Sequence, residues 1–170
     1  NAVAWLEPAC DHKRLLDGNG GPNTGGMGAY SPVPWLSREK VLEMAERVFL
    51  PVLAQMRQRK TPFKGLLYAG LMVSAERFWV LEFNARFGDP ETQAILPRLS
   101  SDLLPVLYGA ATESLELQLD SYPLRWSESA CVNVVVASRG YPEKPEKGMS
   151  ITGLEERLPD DARIYCAGVE

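Results

Sequence analysis

Three polar residues stand at regular spacing where an apolar run of the sequence ends. Glu82, Asn84 and Arg86 alternate with Leu81, Phe83 and a following alanine. Since side chains alternate between the two faces of a strand, the three polar residues share one face. A carboxylate beside an amide oxygen suits a hard cation such as Mg²⁺, which is commonly bound through one or two carboxylates and substrate phosphates. The planar fork of Arg86 suits phosphate or carboxylate oxygens. The pattern predicts a site for a cation and an anionic group.

The segment after this strand also has a purely structural interpretation. Asp89 can cap a helix, Pro90 suits the first helical position, and the helix dipole favours Glu91 in the first turn. The preceding residues would then form an edge strand with solvated polar side chains. That interpretation does not explain why the three polar side chains of the strand share a face beside so many apolar neighbours.

Residues 17–34 are rich in Gly, Asn and Pro and show neither helical nor alternating periodicity, which predicts a loop. Glycines allow a backbone to approach a ligand closely and to expose amide N–H groups to anionic oxygens. A flexible surface hairpin explains the composition equally well. His12, the only histidine, precedes this loop, and we expect it to have a structural role, hydrogen-bonding the loop backbone, in preference to a role as general base. No nucleophile triad surrounds it.

Four segments together resemble phosphoribosylamine–glycine ligase (GAR synthetase), a family of ATP-grasp enzymes of purine synthesis. They are Asp11–Arg14 (DHKR), Gly21–Pro32 (GPNTGGMGAYSP), Leu67–Met72 (LYAGLM) and Arg86–Gln93 (RFGDPETQ). The resemblance weakens after about Asp120. It implies an ATP-dependent ligase that joins glycine to 5-phosphoribosylamine through a glycyl phosphate intermediate, in de novo purine biosynthesis.

The resemblance also implies roles for individual residues. Glu82 and Asn84 are expected to bind Mg²⁺ or Mn²⁺, and Arg86 is expected to act on the phosphoryl group or acyl phosphate of the ATP-driven reaction. The expected substrate-binding residues are Asp11, Lys13, Thr24, Gly25, Gly26, Asp89 and Glu91. Helix capping is the rival role for Asp89 and Glu91. Ala9-Cys10 departs from the polar pair that usually precedes this aspartate in the family.

The expected fold class is α+β. Residues 1–111 would form the C-terminal part of an ATP-grasp domain, its second lobe, with an antiparallel sheet and helices. Residues 112–128 would form a linker, and residues 129–170 the start of a small, β-rich C-terminal domain that the chain leaves incomplete. The family's N-terminal domain and first ATP-grasp lobe are absent from the sequence, so we expect the fragment alone to be inactive.

Local patterns predict the individual elements. An apolar stripe with helical spacing predicts a helix over residues 37–60, capped by Ser37 and kinked or divided at Pro51. Two apolar runs with a short link predict an antiparallel hairpin of residues 64–74 and 78–84. Further predictions are strands at residues 2–6, 151–154 and 164–169, a buried strand at 131–138, helices at 90–99 and 101–111, and a surface loop at 140–148.

Composition limits the possible partners and location. The net charge of -4 and the pI near 5.2 argue against a general nucleic-acid surface. No apolar run is long enough for a membrane span, and the N-terminus lacks a signal-peptide pattern. Three widely spaced cysteines suggest reduced thiols in a cytoplasmic protein, without a CxxC metal site. The partners that the family resemblance implies are small molecules: ATP, glycine and phosphoribosylamine.

Three alternatives remain beside this interpretation. The first is another ATP-grasp carboxylate–amine ligase, although the complete Gly-Asp-Pro-Glu string argues against it. The second is a non-catalytic binding fragment, for which Glu82→Ala would leave turnover intact. The third is a multifunctional polypeptide in which this chain is one part.

Overall fold

The computed structural model describes residues 2–169, which divide into two compact units between Val136 and Ala137. The strands are β1 (Cys10–Asp11), β2 (Arg14–Leu16), β3 (Gly20–Asn23), β4 (Gly28–Ser31), β5 (Tyr68–Val73), β6 (Phe78–Asn84) and β7 (Cys131–Val134). The helices are α1 (Arg38–Gln58), α2 (Thr92–Ile95), α3 (Leu104–Thr112) and α4 (Leu115–Ser121), with 3-10 turns at Asp17–Asn19 and Leu96–Arg98. This mixture of antiparallel sheets and helices confirms the predicted α+β class.

All strand pairs in the first unit are antiparallel. The largest sheet has the order β1-β4-β7, while β2 pairs with β3 and β5 pairs with β6. Glycine-rich β4 lies at the centre of the three-stranded sheet, and Ala29 and Ser31 on it are buried. The sheet therefore places the end of β1, which carries Asp11, beside the glycine-rich segment.

Helix α1 follows the predicted pattern closely. The Ser37 side chain accepts a hydrogen bond from the Lys40 backbone N–H at 3.2 Å, as expected of an N-cap. Met44 and Val48 are the buried residues of its apolar face. Pro51 lies inside the helix, which continues as one element to Gln58. The predicted cap and apolar face are confirmed, whereas Pro51 does not divide the helix.

The hairpin of β5 and β6 is also confirmed. Its turn is closed by Ser74, whose backbone N–H donates to the Arg77 carbonyl at 2.8 Å. The register places Tyr68 opposite Asn84 and Gly70 opposite Glu82, and shifts between Gly70 and the next residue. Because residues opposite one another in a sheet have neighbouring side chains, this register determines what surrounds the predicted metal ligands.

A buried arginine ties distant segments of the first unit together. The Arg98 guanidinium donates to Ser31 Oγ at 2.8 Å and to the carbonyls of Ser127 and Ser129 at 3.1 and 2.9 Å. It also lies 3.4 Å from Glu7 Oε2. These bonds satisfy a charge that is 5% exposed and join β4 to the segment entering β7.

Several predictions for the first unit differ from the structure. Residues 2–6 form no strand, since no described strand lies beside them to accept their backbone hydrogen bonds. The predicted loop at 17–34 contains β3 and β4, because backbone pairing with β2, β1 and β7 orders its glycines. The helix predicted for residues 90–99 begins only at Thr92 and becomes a 3-10 turn at Leu96.

The strand predicted for residues 131–138 is shorter and more exposed than expected. β7 covers Cys131–Val134, and Val132 and Val134 are 70% and 72% exposed. The strand pairs with β4 on one edge and turns alternate side chains outward, so a continuous valine run did not indicate burial on both faces. The segment 101–111 does form a helix, α3, from Leu104 to Thr112.

The second unit consists of turns and extended chain. Residues 140–148 form an exposed turn region, as predicted, with the Lys144 N–H donating to the Gly140 carbonyl at 2.8 Å. The strands predicted at 151–154 and 164–169 are wrong, because these described residues pair with no other strand. Helix α4 lies inside the predicted linker of residues 112–128, and the division into domains stays a prediction.

Among residues 2–169, no helix has both the length and the apolar composition that a membrane crossing requires.

Candidate functional site

The Asp-His-Lys-Arg segment and the end of β6 meet in the folded chain. Lys13 Nζ lies 3.4 Å from Glu82 Oε1, across 69 residues of sequence, and 3.9 Å from Asp11 Oδ2. Both Lys13 and Glu82 are about half exposed, so the ion pair lies at the surface of the site and contributes little to stability. Its significance is geometric, since it brings the Asp11–Arg14 motif next to a predicted metal ligand.

Strand β6 offers its predicted ligands in a form that suits a divalent cation. Gly70, opposite Glu82, leaves room for that side chain: a Cβ at Gly70 would lie 3.1 Å from Glu82 Cγ. The Asn84 amide nitrogen is buried without a hydrogen-bond partner among the described residues. No cluster of three or more His, Cys, Asp or Glu side chains in residues 2–169 is placed to hold a metal. One carboxylate and one amide oxygen nonetheless fit a cation that completes its shell with water and phosphate oxygens.

Glu91 is held inside the protein by Tyr68. The Tyr68 hydroxyl donates to Glu91 Oε1 at 2.8 Å, and Glu91 is 6% exposed. Gly88 fits closely beside them: an added Cβ would lie 3.0 Å from the Tyr68 ring and would collide with Glu91 Oε2, so that the carboxylate would have to move. The glycine of the Gly-Asp-Pro-Glu string therefore has a steric reason in this structure.

Asp11 lies close enough to Glu91 for their charges to interact. Burial raises the pKa of Asp11 to about 6, the negative charge of Glu91 adds to the increase, and Lys13 opposes it. Neither carboxylate oxygen of Asp11 has a hydrogen-bond partner among the described residues. We call Asp11 and Glu91 the acidic pair. A buried pair of this kind favours a positively charged group or a shared proton.

The glycine-rich segment packs directly against the acidic pair. Thr24 Oγ1 donates to the Lys13 carbonyl at 2.9 Å and accepts from the Gly26 N–H at 3.0 Å. Gly26 has a φ of 133°, and a Cβ there would collide with the Pro90 ring and lie 3.0 Å from Asp11 Oδ1. Gly25 is exposed. Thr24 and Gly26 thus fix the shape of the site through the backbone.

Arg86 and Asp89 are not brought into this cluster. Arg86 is exposed and its guanidinium donates to the neighbouring Phe87 carbonyl at 2.8 Å. Asp89 is exposed and accepts from Gln93 Nε2 at 2.7 Å. The capping role considered for Asp89 and Glu91 is wrong, since α2 begins at Thr92 without a side-chain cap. Arg86 and Asp89 are therefore exposed to solvent outside this cluster.

His12 contributes through its backbone. Its N–H donates to the Gly28 carbonyl at 2.9 Å and its carbonyl accepts from Met27 at 2.7 Å, which ties it to the glycine-rich segment. The imidazole is exposed and lies 5.7 Å from the Tyr30 ring. The expected hydrogen bonding to this loop is confirmed for the backbone. No role was predicted for Tyr68 from the sequence. The available signal was the spacing of Tyr68 and Gly70, which lie two residues apart on β5 and so share one face of the strand.

An antiparallel hairpin carrying a Glu-x-Asn pair, facing a glycine-rich segment and buried acids, is the arrangement expected of part of an ATP-grasp domain. Residues 1–92 match the family described as phosphoribosylglycinamide synthetase, ATP-grasp (A) domain. The chain belongs to this family, which confirms the resemblance of the four motifs.

Named relatives agree with the assignment. The chain is 55% identical over 160 residues to phosphoribosylamine–glycine ligase of Streptomyces coelicolor, covering 94% of the chain and 38% of the relative. It is 45% identical over 166 residues to the human trifunctional purine biosynthetic protein adenosine-3, covering 98% of the chain and 16% of that protein. A crystal structure of phosphoribosylamine–glycine ligase from Thermotoga maritima matches with a TM-score of 0.66 and 36% identity, over 90% of the chain and 37% of that structure. The chain thus spans less than two fifths of these relatives.

Proposed function

We propose that the full-length protein joins glycine to 5-phosphoribosylamine in an ATP-dependent reaction through glycyl phosphate. The family assignment supports the reaction type, and the relatives' names indicate the substrates. The observation that carries the proposal is the meeting of Lys13 with Glu82 at 3.4 Å, since it joins the substrate motif to the predicted metal ligands. In the complete enzyme, these residues would provide the contact between Lys13 and Glu82.

Glu82 and Asn84 are the proposed ligands of a divalent cation, Mg²⁺ or Mn²⁺. When bound, the cation supplies charge neutralisation to the phosphate oxygens of ATP. Gly70 leaves the Glu82 carboxylate free to turn toward such a group. Lys13 is then available to pair with an anionic part of a substrate.

Arg86 is the proposed catalytic residue. Phosphoryl transfer from ATP to the glycine carboxylate breaks one P–O bond and forms another, so negative charge moves between oxygens. An exposed guanidinium with a single backbone partner can turn to bind the phosphoryl group or the acyl phosphate. Attack by the amine of phosphoribosylamine then displaces phosphate and forms the amide.

The acidic pair is proposed to bind the amino group of glycine. Two buried carboxylates disfavour a phosphate or a carboxylate and favour an ammonium group. The proposed substrate residues around them are Lys13, Thr24, Gly25, Gly26 and Asp89, of which Thr24 and Gly26 act by holding the backbone in shape. We expect these 170 residues alone to be inactive, because ATP must also be held by other parts of the protein.

A coupled assay tests the proposal. Release of ADP by the full-length protein would be measured with phosphoribosylamine generated in the assay and with glycine, alanine or no amino acid. We expect release to depend on glycine and to fall at least about 100-fold in Glu82→Ala, because the variant would lose a ligand of the cation that neutralises phosphate charge. Glu76→Ala, which removes an exposed carboxylate in the hairpin turn, is the matched control.

The same assay separates the alternative functions. Preference for an amino acid other than glycine would indicate a different ATP-grasp ligase. Equal activity of Glu82→Ala and wild type would exclude the metal role and favour a non-catalytic binding function.

The free thiols of Cys10, Cys131 and Cys166 suit a reducing compartment, and we infer a cytoplasmic location.

A further inference from the structure

The acid-rich region contains a tyrosine of the Leu67–Met72 motif for which the sequence predicted no role. Tyr68 lies on β5, opposite Asn84 in the sheet register. Its pKa is raised by burial first, then by its hydrogen bond to Glu91 and by the charges of Glu91, Asp11 and Glu82. The side chain therefore faces the acidic pair and one predicted metal ligand together.

We propose that Tyr68 is a positioning residue, which holds the Glu91 carboxylate beside Asp11 so that the acidic pair can bind the amino group of the substrate. The inference rests on the proposed function of the acidic pair and adds to it a residue that determines its geometry. It rests on the 2.8 Å hydrogen bond from the Tyr68 hydroxyl to Glu91 Oε1 and on the burial of that carboxylate.

Two contacts surround the Glu91 carboxylate. Its Oε1 accepts from the Tyr68 hydroxyl, and its Oε2 lies so close to Gly88 that a Cβ there would collide with it, with the Tyr68 ring against the same glycine. A carboxylate with one oxygen held by a strong donor keeps its second oxygen for another group. The hydroxyl thus holds Oε1 of Glu91, and the absence of a Cβ at Gly88 leaves room for Oε2.

Tyr68 acts as a hydrogen-bond donor in this arrangement and has no role as a base. Its surroundings favour the protonated hydroxyl, since three carboxylates face it. A neutral donor reduces the repulsion between Glu91 and Asp11 without neutralising either of them, so the pair remains able to attract an ammonium group.

The first test replaces Tyr68 by Phe in the full-length protein, which removes the hydroxyl and keeps the ring. We expect the KM for glycine to rise about 10-fold, because a hydrogen bond to a charged group is lost, while kcat changes less than about 2-fold. Tyr122→Phe, which removes a hydroxyl from an exposed tyrosine at the C-terminal end of α4, is the matched control and should leave both constants unchanged. If Tyr68 had only a structural role, Tyr68→Phe would lower the melting temperature and leave the KM of the folded enzyme unchanged. That result would overturn the inference.

A double-mutant cycle tests whether Tyr68 acts through Glu91. In a Glu91→Ala background, Tyr68→Phe should change the KM for glycine less than about 2-fold, since its partner is already gone. An undiminished 10-fold effect in that background would contradict positioning. Glu91→Asp retracts the carboxylate by one methylene from the hydroxyl, so it should raise the KM much as Tyr68→Phe does, and it serves if Tyr68→Phe does not fold.

Different results would contradict the proposed function and the positioning role of Tyr68. Loss of glycine dependence in the wild-type protein would overturn the proposed function and this inference together. A large effect of Glu91→Ala on the KM for glycine, with none from Tyr68→Phe or Glu91→Asp, would overturn the positioning role and leave the acidic pair as the substrate site.

Discussion

At the scale of single residues, Asp11 carries an electrostatic cost in the folded protein. Its carboxylate is buried without a hydrogen-bond partner among the described residues and lies near the charge of Glu91. Burial and this charge raise its pKa from 3.8 to about 6, with Lys13 acting in the opposite direction. Binding sites often retain such a cost, since a ligand of opposite charge removes it.

The raised pKa predicts a specific dependence of stability on pH. Between pH 3.8 and about 6 the folded state keeps a proton on Asp11 that the unfolded state releases, so the free energy of unfolding falls as pH rises through this window. Above about pH 6 the contribution levels off. Asp11→Asn should therefore stabilise the full-length protein at pH 7.5 by about 2 kcal/mol, and much less at pH 4.

Urea unfolding at the two pH values would measure this difference. Asp17→Asn, at an exposed position, is the control and should change stability by less than about 0.5 kcal/mol at either pH. A variant at Asp11 that is less stable than wild type at pH 7.5 would show that the charged carboxylate is compensated in the folded state. Lys13 and His12 face the same carboxylate, and both are retained in the variant.

At the scale of elements, features that depend on near neighbours were predictable from the sequence. Helix α1 follows from its apolar spacing and Ser37, and the β5–β6 hairpin follows from two apolar runs with a short link. The exposure of β7 was not predictable, because it depends on which faces the rest of the fold covers. Likewise the pairing of Tyr68 with Glu91 depends on a long-range register that no local pattern contains.

The N-cap of α1 makes a prediction at this scale. Ser37→Ala removes the acceptor of the Lys40 N–H and should lower the free energy of unfolding by about 1 kcal/mol, whereas Ser37→Asp should retain it. Thermal unfolding of the full-length variants would measure the difference. Equal losses in the Ala and Asp variants would mean that Ser37 contributes by some contact other than capping.

At the scale of the whole first unit, Arg98 connects segments that are distant in sequence. Its guanidinium reaches β4 through Ser31, the chain entering β7 through Ser127 and Ser129, and the N-terminal segment through Glu7. The buried cation therefore adds a second connection, beside the backbone pairing of β4 with β7, between the sheet that carries Asp11 and the chain after α4. Such a group is costly to leave unpaired and costly to remove from its partners.

Removal of this cation should affect stability far more than the exposed ion pairs do. Arg98→Ala leaves Ser31 and two carbonyls without their donor, and we expect a loss of about 3–5 kcal/mol in the free energy of unfolding. Arg125→Ala, at an exposed arginine whose backbone carbonyl accepts from the Ser100 N–H, should cost less than about 1 kcal/mol. Urea unfolding of both variants would decide, and similar small losses would contradict the role of Arg98. Because β4 orders the glycine-rich segment beside Asp11, Arg98→Ala should also weaken glycine binding at urea concentrations that leave wild type folded.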